Sequence, residues 1–279
     1  MKKLNLLVGI LLGFIILSCS SDENTNSTSQ VPQLIRIDRT SVGLGPGSPI
    51  QSAEFINNRP NIINYFDENN NLTYYFVYSY NTNDLLIEID EFYANNDHRS
   101  KTEITYDSQN RIIQIKNENL EFNYTSWTVD YTFNSDNTIS SYSESYFSGT
   151  QEKTFIINSN GYIDKEIIDG QEVVSTEYEN SRLITKTTTF GVFNYSYLET
   201  GIFPFTLQNI LGSNQINVVL YHNTLDPDTF LSSLSTDLVS EVSFYNIENL
   251  YTINEFSFPL TKTEYLNGEI IYESEYSYE

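Results

Sequence analysis

From about residue 31 onward, residues that favour strands alternate with polar ones. The stretch "WTVDYTF" places Trp127, Val129, Tyr131 and Phe133 on one face and Thr128, Asp130 and Thr132 on the other. A period of two predicts half-buried antiparallel strands rather than helices. The punctuation between strands is equally regular. In "TYDSQNRIIQI" (Thr105–Ile115), Tyr106 is followed six residues later by Ile112. The same spacing joins Phe66 to Leu72, Tyr80 to Leu86, Phe133 to Ile139 and Ile157 to Ile163.

If each pair lies directly across a hairpin, the tip is a type I turn closed by a residue with positive φ. Gly, Asn and Asp reach that conformation at least cost. Asn70, Asp84, Asn110, Asn137 and Gly161 occupy the position, and Asp107 reads as a hydrogen-bond acceptor on the side of its turn. Asp169-Gly170 and Asn267-Gly268 are two-residue hairpin signals, with Ser148-Gly149 and Asn180-Ser181 as weaker versions. "NND" (Asn95–Asp97) and "NEN" (Asn117–Asn119) are longer polar turns.

The predicted fold is therefore all-β: one long antiparallel up-and-down meander of hairpin repeats with about sixteen to twenty strands. Closure into a barrel-like or shell-like body is how such a meander avoids exposed edges. Residues 201–235 break the pattern. "LDPDTFLSSLS" predicts one short helical insertion, with Asp226 as N-cap and Pro227 at the first helical position. Such a helix is expected to plug a barrel end or cover a sheet edge, and less often to build a pocket. "VGLGPGSP" (Val42–Pro49) is glycine-rich, but no Lys-Ser/Thr follows it, so it reads as a turn.

The front end is of another kind. Lys2 and Lys3 precede an apolar run from Leu6 to Leu17, then Ser18-Cys19 and the polar "SSDENTNSTSQ". That is the layout of a signal peptide, 1–18, followed by a flexible linker, 19–30, and a single β-meander domain, 31–279. "ILSC" (Ile16–Cys19) resembles the lipobox of bacterial lipoproteins. The resemblance implies that Cys19 carries lipid and anchors the chain to a membrane of the cell envelope, at the outer membrane and facing the cell surface.

Composition narrows the chemistry. Cys19 is the one cysteine, so no intramolecular disulfide and no cysteine metal site can form. With Lys2 and Lys3 removed, 12 basic and 37 acidic groups remain, a net charge of −25 that repels nucleic acid. His98 and His222 are the two histidines, and neither lies in a zinc-enzyme spacing. No Gly-x-Ser-x-Gly elbow is present for a serine nucleophile. No cofactor is called for. Calcium is the ion to consider, because "DENNN" (Asp67–Asn71) and "DPD" (Asp226–Asp228) offer oxygen ligands, though without EF-hand spacing. The 22 tyrosines exceed what core filling needs. Tyr272, Tyr276 and Tyr278 share one parity, and an exposed stripe of them suits sugar rings.

"YDSQNRI" (Tyr106–Ile112) resembles the YD repeat of RHS-type secreted β-shell proteins, with Asn110 where that repeat has Gly and Ile112 where it has Leu. "FNSDNTI" and "INSNGYI" lack the Arg, and "YENSRL" is one residue shorter. Lipobox, YD-like meander and the tyrosine-rich "YESEYSYE" (Tyr272–Glu279) together resemble Bacteroidetes lipoproteins described as having a porin-like β fold. The resemblance implies a fold and a surface location but no activity.

Three functions are in view. The first is a non-catalytic surface module that binds glycan or a protein partner. The second is a structural envelope protein without a small ligand. The third is a carboxylate-dependent glycan hydrolase, which has no local motif. The lipobox is tested directly: Cys19→Ala is expected to abolish incorporation of labelled fatty acid and to release the chain from the membrane fraction.

Overall fold

A computed structural model describes residues 31–42, 48–180, 182–202, 211, 217, 220, 237–243 and 246–279. The chain begins with strands β1 (Leu34–Ser41), β2 (Ser48–Ile56), β3 (Arg59–Phe66), β4 (Leu72–Tyr80), β5 (Leu86–Tyr93) and β6 (His98–Tyr106). It continues through β7 (Ile112–Asn119), β8 (Tyr124–Phe133), β9 (Thr138–Ser145), β10 (Gly149–Ile157), β11 (Ile163–Ile168) and β12 (Gln171–Glu179). The last six are β13 (Arg182–Thr188), β14 (Gly191–Ile202), β15 (Asp237–Val242), β16 (Ile247–Ile253), β17 (Pro259–Leu266) and β18 (Glu269–Tyr278).

Each strand pairs antiparallel with its neighbours in sequence, and β18 returns to pair with β1. Among the described residues the sheet is thus an 18-stranded up-and-down ring with no free edge. Gln33 and Glu279 close the seam by exchanging two backbone hydrogen bonds of 3.0 Å. All these strands belong to one compact unit, Pro32–Glu279.

The turn chemistry is as the spacing predicts. Phe66 pairs with Leu72, Tyr80 with Leu86, Tyr106 with Ile112, Phe133 with Ile139 and Ile157 with Ile163, each beside a register shift or directly closing its hairpin. Asn70, Asp84, Asn110, Asn137 and Gly161 have φ between 57° and 83°. In the Tyr106 hairpin, Asp107 Oδ1 accepts from the amides of Gln109 (2.8 Å) and Arg111 (3.0 Å). Asp67, Asn81 and Asn158 accept from the equivalent amides of their own turns. Arg111 pairs with Asp107 at 2.6 Å and lays its guanidinium 4.1 Å over the ring of Phe133, so it ties one hairpin to the next.

A sixth copy escapes the sequence rule. Ile253 pairs with Pro259 around Ser257, whose φ is 66°. Asn254 Oδ1 holds that turn by accepting from the amides of Phe256 and Phe258, both at 3.0 Å. Asn57 and Asn58 form a further left-handed pair between β2 and β3. "NEN" is corrected: β7 runs on through Asn119, and the chain turns afterwards, with Asn123 left-handed. The reason is pairing. Asn117 Nδ2 donates to Thr102 Oγ1 at 3.0 Å, and Asn119 Oδ1 accepts from the amide of Phe122.

Strict alternation puts even-to-odd connections, and both ends of the described sheet, at one end of the barrel. Odd-to-even connections lie at the opposite end. At the first end the inward side chains of Leu34, Leu86, Ile112, Ile139, Phe155 and Ile163 are nearly or fully buried and share one apolar cluster. The β14–β15 connection joins that cluster through Leu211 and Leu220, both buried and helical. Asn217, also helical and buried, accepts from the amide of Ile112 (2.9 Å) and donates to the carbonyls of Asn110 (2.8 Å) and Leu211 (2.6 Å). A buried Asn left unpaired is costly, and here the connection is docked onto the Tyr106 hairpin instead. The expected helix from Asp226 lies outside the described residues, as do residues 43–47 of the glycine-rich loop.

The outward face carries ion pairs beside scattered apolar residues such as Val192 and Leu250. Lys101 bridges Glu88 (2.7 Å) and Glu103 (2.9 Å), Arg36 pairs with Asp38, Lys116 with Glu118 and Lys165 with Glu172. A lipid-facing barrel carries an apolar outer band, and a midplane Lys or Arg there costs about 2–4 kcal/mol.

The turn carboxylates give the fold an acid limit. Hydrogen bonds from Asn71 hold Asp67 below its ordinary pKa, Arg59 does so for Asp84, and Thr138 for Asp136. At Asp107 burial opposes the shift, but the amides of Arg111 and Gln109 and the Arg111 guanidinium prevail and lower it. A depressed folded pKa contributes stability that is present above the unfolded value, about 4, and is lost as pH falls below it. The unfolding midpoint is therefore expected to drop below about pH 4. Asp107→Asn is expected to keep the turn, as Asn81 and Asn158 do, and to soften the acid loss. Asp107→Ala is expected to cost about 1–2 kcal/mol at pH 7. Thermal melts across pH check all three.

Candidate functional site

At the opposite end the interior is not filled in the same way. The inward residues of β8, β9 and β10 form a grid fixed by register. Trp127 faces Ser145, which faces Gly149. Val129 faces Ser143, then Gln151. Tyr131 faces Ser141, then Lys153, and Phe133 faces Ile139, then Phe155. The fourth row joins the apolar core, where Ile139 and Phe155 are buried. The other three rows put serines between larger side chains. A strand of small residues flanked by bulky ones leaves a trough, as side chains on one face of adjacent strands stand side by side.

That trough is a cleft of about 260 Å³, near the lower end of the usual range for ligand pockets, about 300–1,000 Å³. Its lining includes Trp127, Val129, Tyr131, the three serines, Gln151 and Lys153, with Glu144 and Ser148 at the rim. Tyr131 is held by its hydroxyl, which donates to the carbonyl of Leu220 at 3.1 Å. Ser143 donates to the carbonyl of Gln151 at 3.2 Å, which leaves its oxygen able to accept from a ligand. Lys153 makes no ion pair or hydrogen bond among the described residues.

The β9–β10 hairpin carries the cleft outward. Its tip residues Tyr146 and Phe147 are 69% and 79% exposed, and Tyr146 lies 4.6 Å from Tyr124 between ring centroids. Phe147 meets Tyr146 edge-on at 5.0 Å. Phe122 and Phe190, on other hairpins of the same end, are 67% and 86% exposed. Rings held in water beside a polar cleft are a surface on which a sugar face or an apolar group can stack.

A second polar group lies inside the barrel wall. Glu264 accepts from Lys262 (2.7 Å) and approaches Arg39 (3.6 Å), whose guanidinium sits 3.9 Å over the ring of Tyr272. Burial pushes Lys262 down from its ordinary value and pushes Tyr276 well up. Tyr272 and Tyr276 are thus half-buried parts of the interior. The Tyr278 hydroxyl donates to the carbonyl of Pro259 at 2.6 Å. The stripe proposed as a sugar platform is structural, because its parity faces inward.

The other sequence candidates disperse. Cys19, His222 and Asp226–Asp228 lie outside the described residues. His98 stacks on Phe92 at 4.5 Å and points Nε2 at Asp90, 2.9 Å away. Asp67 is occupied by the amides of Asn69 and Asn71 and the Asn71 side chain. Among the described residues no three His, Cys, Asp or Glu side chains gather as a metal-binding group. Sequence reasoning put Trp127, Val129 and Tyr131 on one face but found neither the serine trough nor Lys153. The signal was the "SSYSES" run (Ser140–Ser145), whose small residues pass for ordinary surface.

No family model and no curated protein sequence matches this chain. Among solved structures it is similar to a porin-like protein from Bacteroides uniformis, at 15% identity and a TM-score of 0.38, over 88% of this chain and 98% of that one. It is similar also to a porin-like protein from Bacteroides vulgatus, at 12% identity and a TM-score of 0.35, over 88% and 99%. The barrel described above rests on its own strand pairings.

The trough itself can be tested without a ligand. Trp127 is the single tryptophan, so its emission reports this cleft alone. Ser143→Phe is expected to fill the trough, shift that emission to shorter wavelength and reduce quenching by acrylamide. The unfolding midpoint should stay within about 2–4 °C, a change of about 1 kcal/mol or less for a domain of this size.

Proposed function

We propose that the chain is a non-catalytic cell-envelope lipoprotein whose barrel binds a glycan in the Trp127 cleft. The observation that carries this reading is the pairing of an aromatic wall with a polar floor in one concave site. An indole face covers the apolar side of a sugar ring, and serine and glutamine groups take its hydroxyls. The exposed Tyr146 and Phe147 extend the same chemistry outward, as a longer chain of sugars requires. Attachment through Cys19 holds the barrel at the outer membrane, and the polar outer wall keeps it in water beside the bilayer.

Catalysis is the weaker reading because the described lining of the cleft contains one carboxylate, Glu144, whereas glycoside hydrolysis uses two across the scissile bond. The structural role without a small ligand draws support from the packed apolar core at the other end of the interior.

Titration of the mature chain with a panel of oligosaccharides, followed by Trp127 emission, separates these readings. One sugar class is expected to change the emission saturably and to raise the unfolding midpoint, since ligand at a hundred times its Kd adds about 2.7 kcal/mol. The panel is run with and without calcium, which tests the ion as a bridge between acidic turns and sugar. A flat response throughout would move the weight to the structural role.

A further inference from the structure

We infer that the saccharide taken by this cleft is anionic, with a sugar ring on Trp127 and its carboxylate or sulfate ester at Lys153. The inference rests on the glycan reading above and adds the charge class.

The observation behind it is an unpaired cation where pairing was easy. The mature chain has 37 acidic groups for 12 basic ones. Three other inward cations of the described wall are matched, Lys262 and Arg39 by Glu264, and Arg99 by Glu91 at 2.6 Å. Lys186, inward on β13 opposite Thr176, makes no ion pair among the described residues but does not line the cleft. Lys153 is half-buried, lines the cleft and makes no ion pair among the described residues. The nearest acid in register is Glu166, which faces Phe155 across β10 and β11 and is buried without pairing Lys153.

A half-buried lysine that lines a cleft and has no ion-pair partner keeps its charge available to an anionic ligand. The register supplies the spacing. Lys153 lies two strands across and two rows along from Trp127, with Ser143 and Gln151 between. A ring stacked at Trp127 therefore leaves its hydroxyls over the serines and directs the next sugar's acidic group to Lys153. The barrel's negative charge opposes anions at long range, so this local contact is what admits one.

The test uses the full mature chain and Trp127 emission. Three probes are compared: an oligouronate, the same oligomer with its carboxyl groups reduced to alcohols, and a sulfated oligosaccharide of similar length. At least one anionic probe is expected to bind about fivefold to tenfold tighter than the neutral one, as a single charge-assisted contact allows. Whichever anion shows the preference identifies carboxylate or sulfate as the source. Lys153→Gln is expected to erase the preference, while Lys153→Arg retains it. Unchanged unfolding midpoints control for folding. Equal affinities in the native chain, or a preference that survives Lys153→Gln, overturn the inference. Binding of the neutral probe alone overturns it and leaves the glycan reading standing, whereas binding of none of the three overturns both.

Discussion

The barrel depends on one local constraint, the left-handed residue that closes each bulged hairpin. That residue lets the turn close after three residues, and the accompanying bulge breaks the register so that one inward carbonyl is left for another partner. Tyrosines of the next hairpin supply it. Tyr106 donates to the carbonyl of Leu86 at 2.9 Å, Tyr80 to Pro60 at 2.7 Å, and Tyr197 to Leu183 at 2.8 Å. Each acceptor closes the hairpin before. The abundance of tyrosine thus has a structural cause: a half-buried phenol fills the wall and satisfies a carbonyl that the turn has freed.

Repeating that unit around a closed ring produces two unlike halves. Where the bulged hairpins cluster, their paired residues are large and apolar, and the inward side chains meet Leu211 and Leu220 in a common core. Toward the other end the inward positions of β8, β9 and β10 become Ser, Gln, Lys and Trp, which do not pack dry against one another. A barrel of this circumference cannot be filled from its wall alone. Among the described residues, side chains and a docked connection fill one end, and the β8–β10 wall leaves a lined trough toward the other. Exposed tips such as Phe147 and Phe190 belong to the trough's end.

Much of the hairpin architecture was legible because its determinants are local. The pairing of Tyr106 with Ile112 and the positive φ of Asn110 follow from residues within one turn of each other. The rule failed where a neighbour compensated. Ser257 adopts positive φ at a cost of about 1–2 kcal/mol, offset by the two hydrogen bonds of Asn254. It also failed at Asn117–Asn119, where the side chains read as turn residues but bond across the sheet to Thr102 and back to the Phe122 amide. The Tyr272 stripe shows the same limit, since a shared parity is visible in the sequence and its direction is not.

What the sequence by itself determined was the all-β class, the hairpin period and the turn chemistry, because each is set by contacts among residues fewer than about ten apart. Tertiary structure alone decided which parity faces inward, that β18 returns to β1, and that Asn217 reaches Ile112 across 105 positions. It also brought Trp127 and Lys153 to one cleft. No local preference encodes those choices. They follow from burying one face of every strand at once, a condition that exists only when the ring is closed.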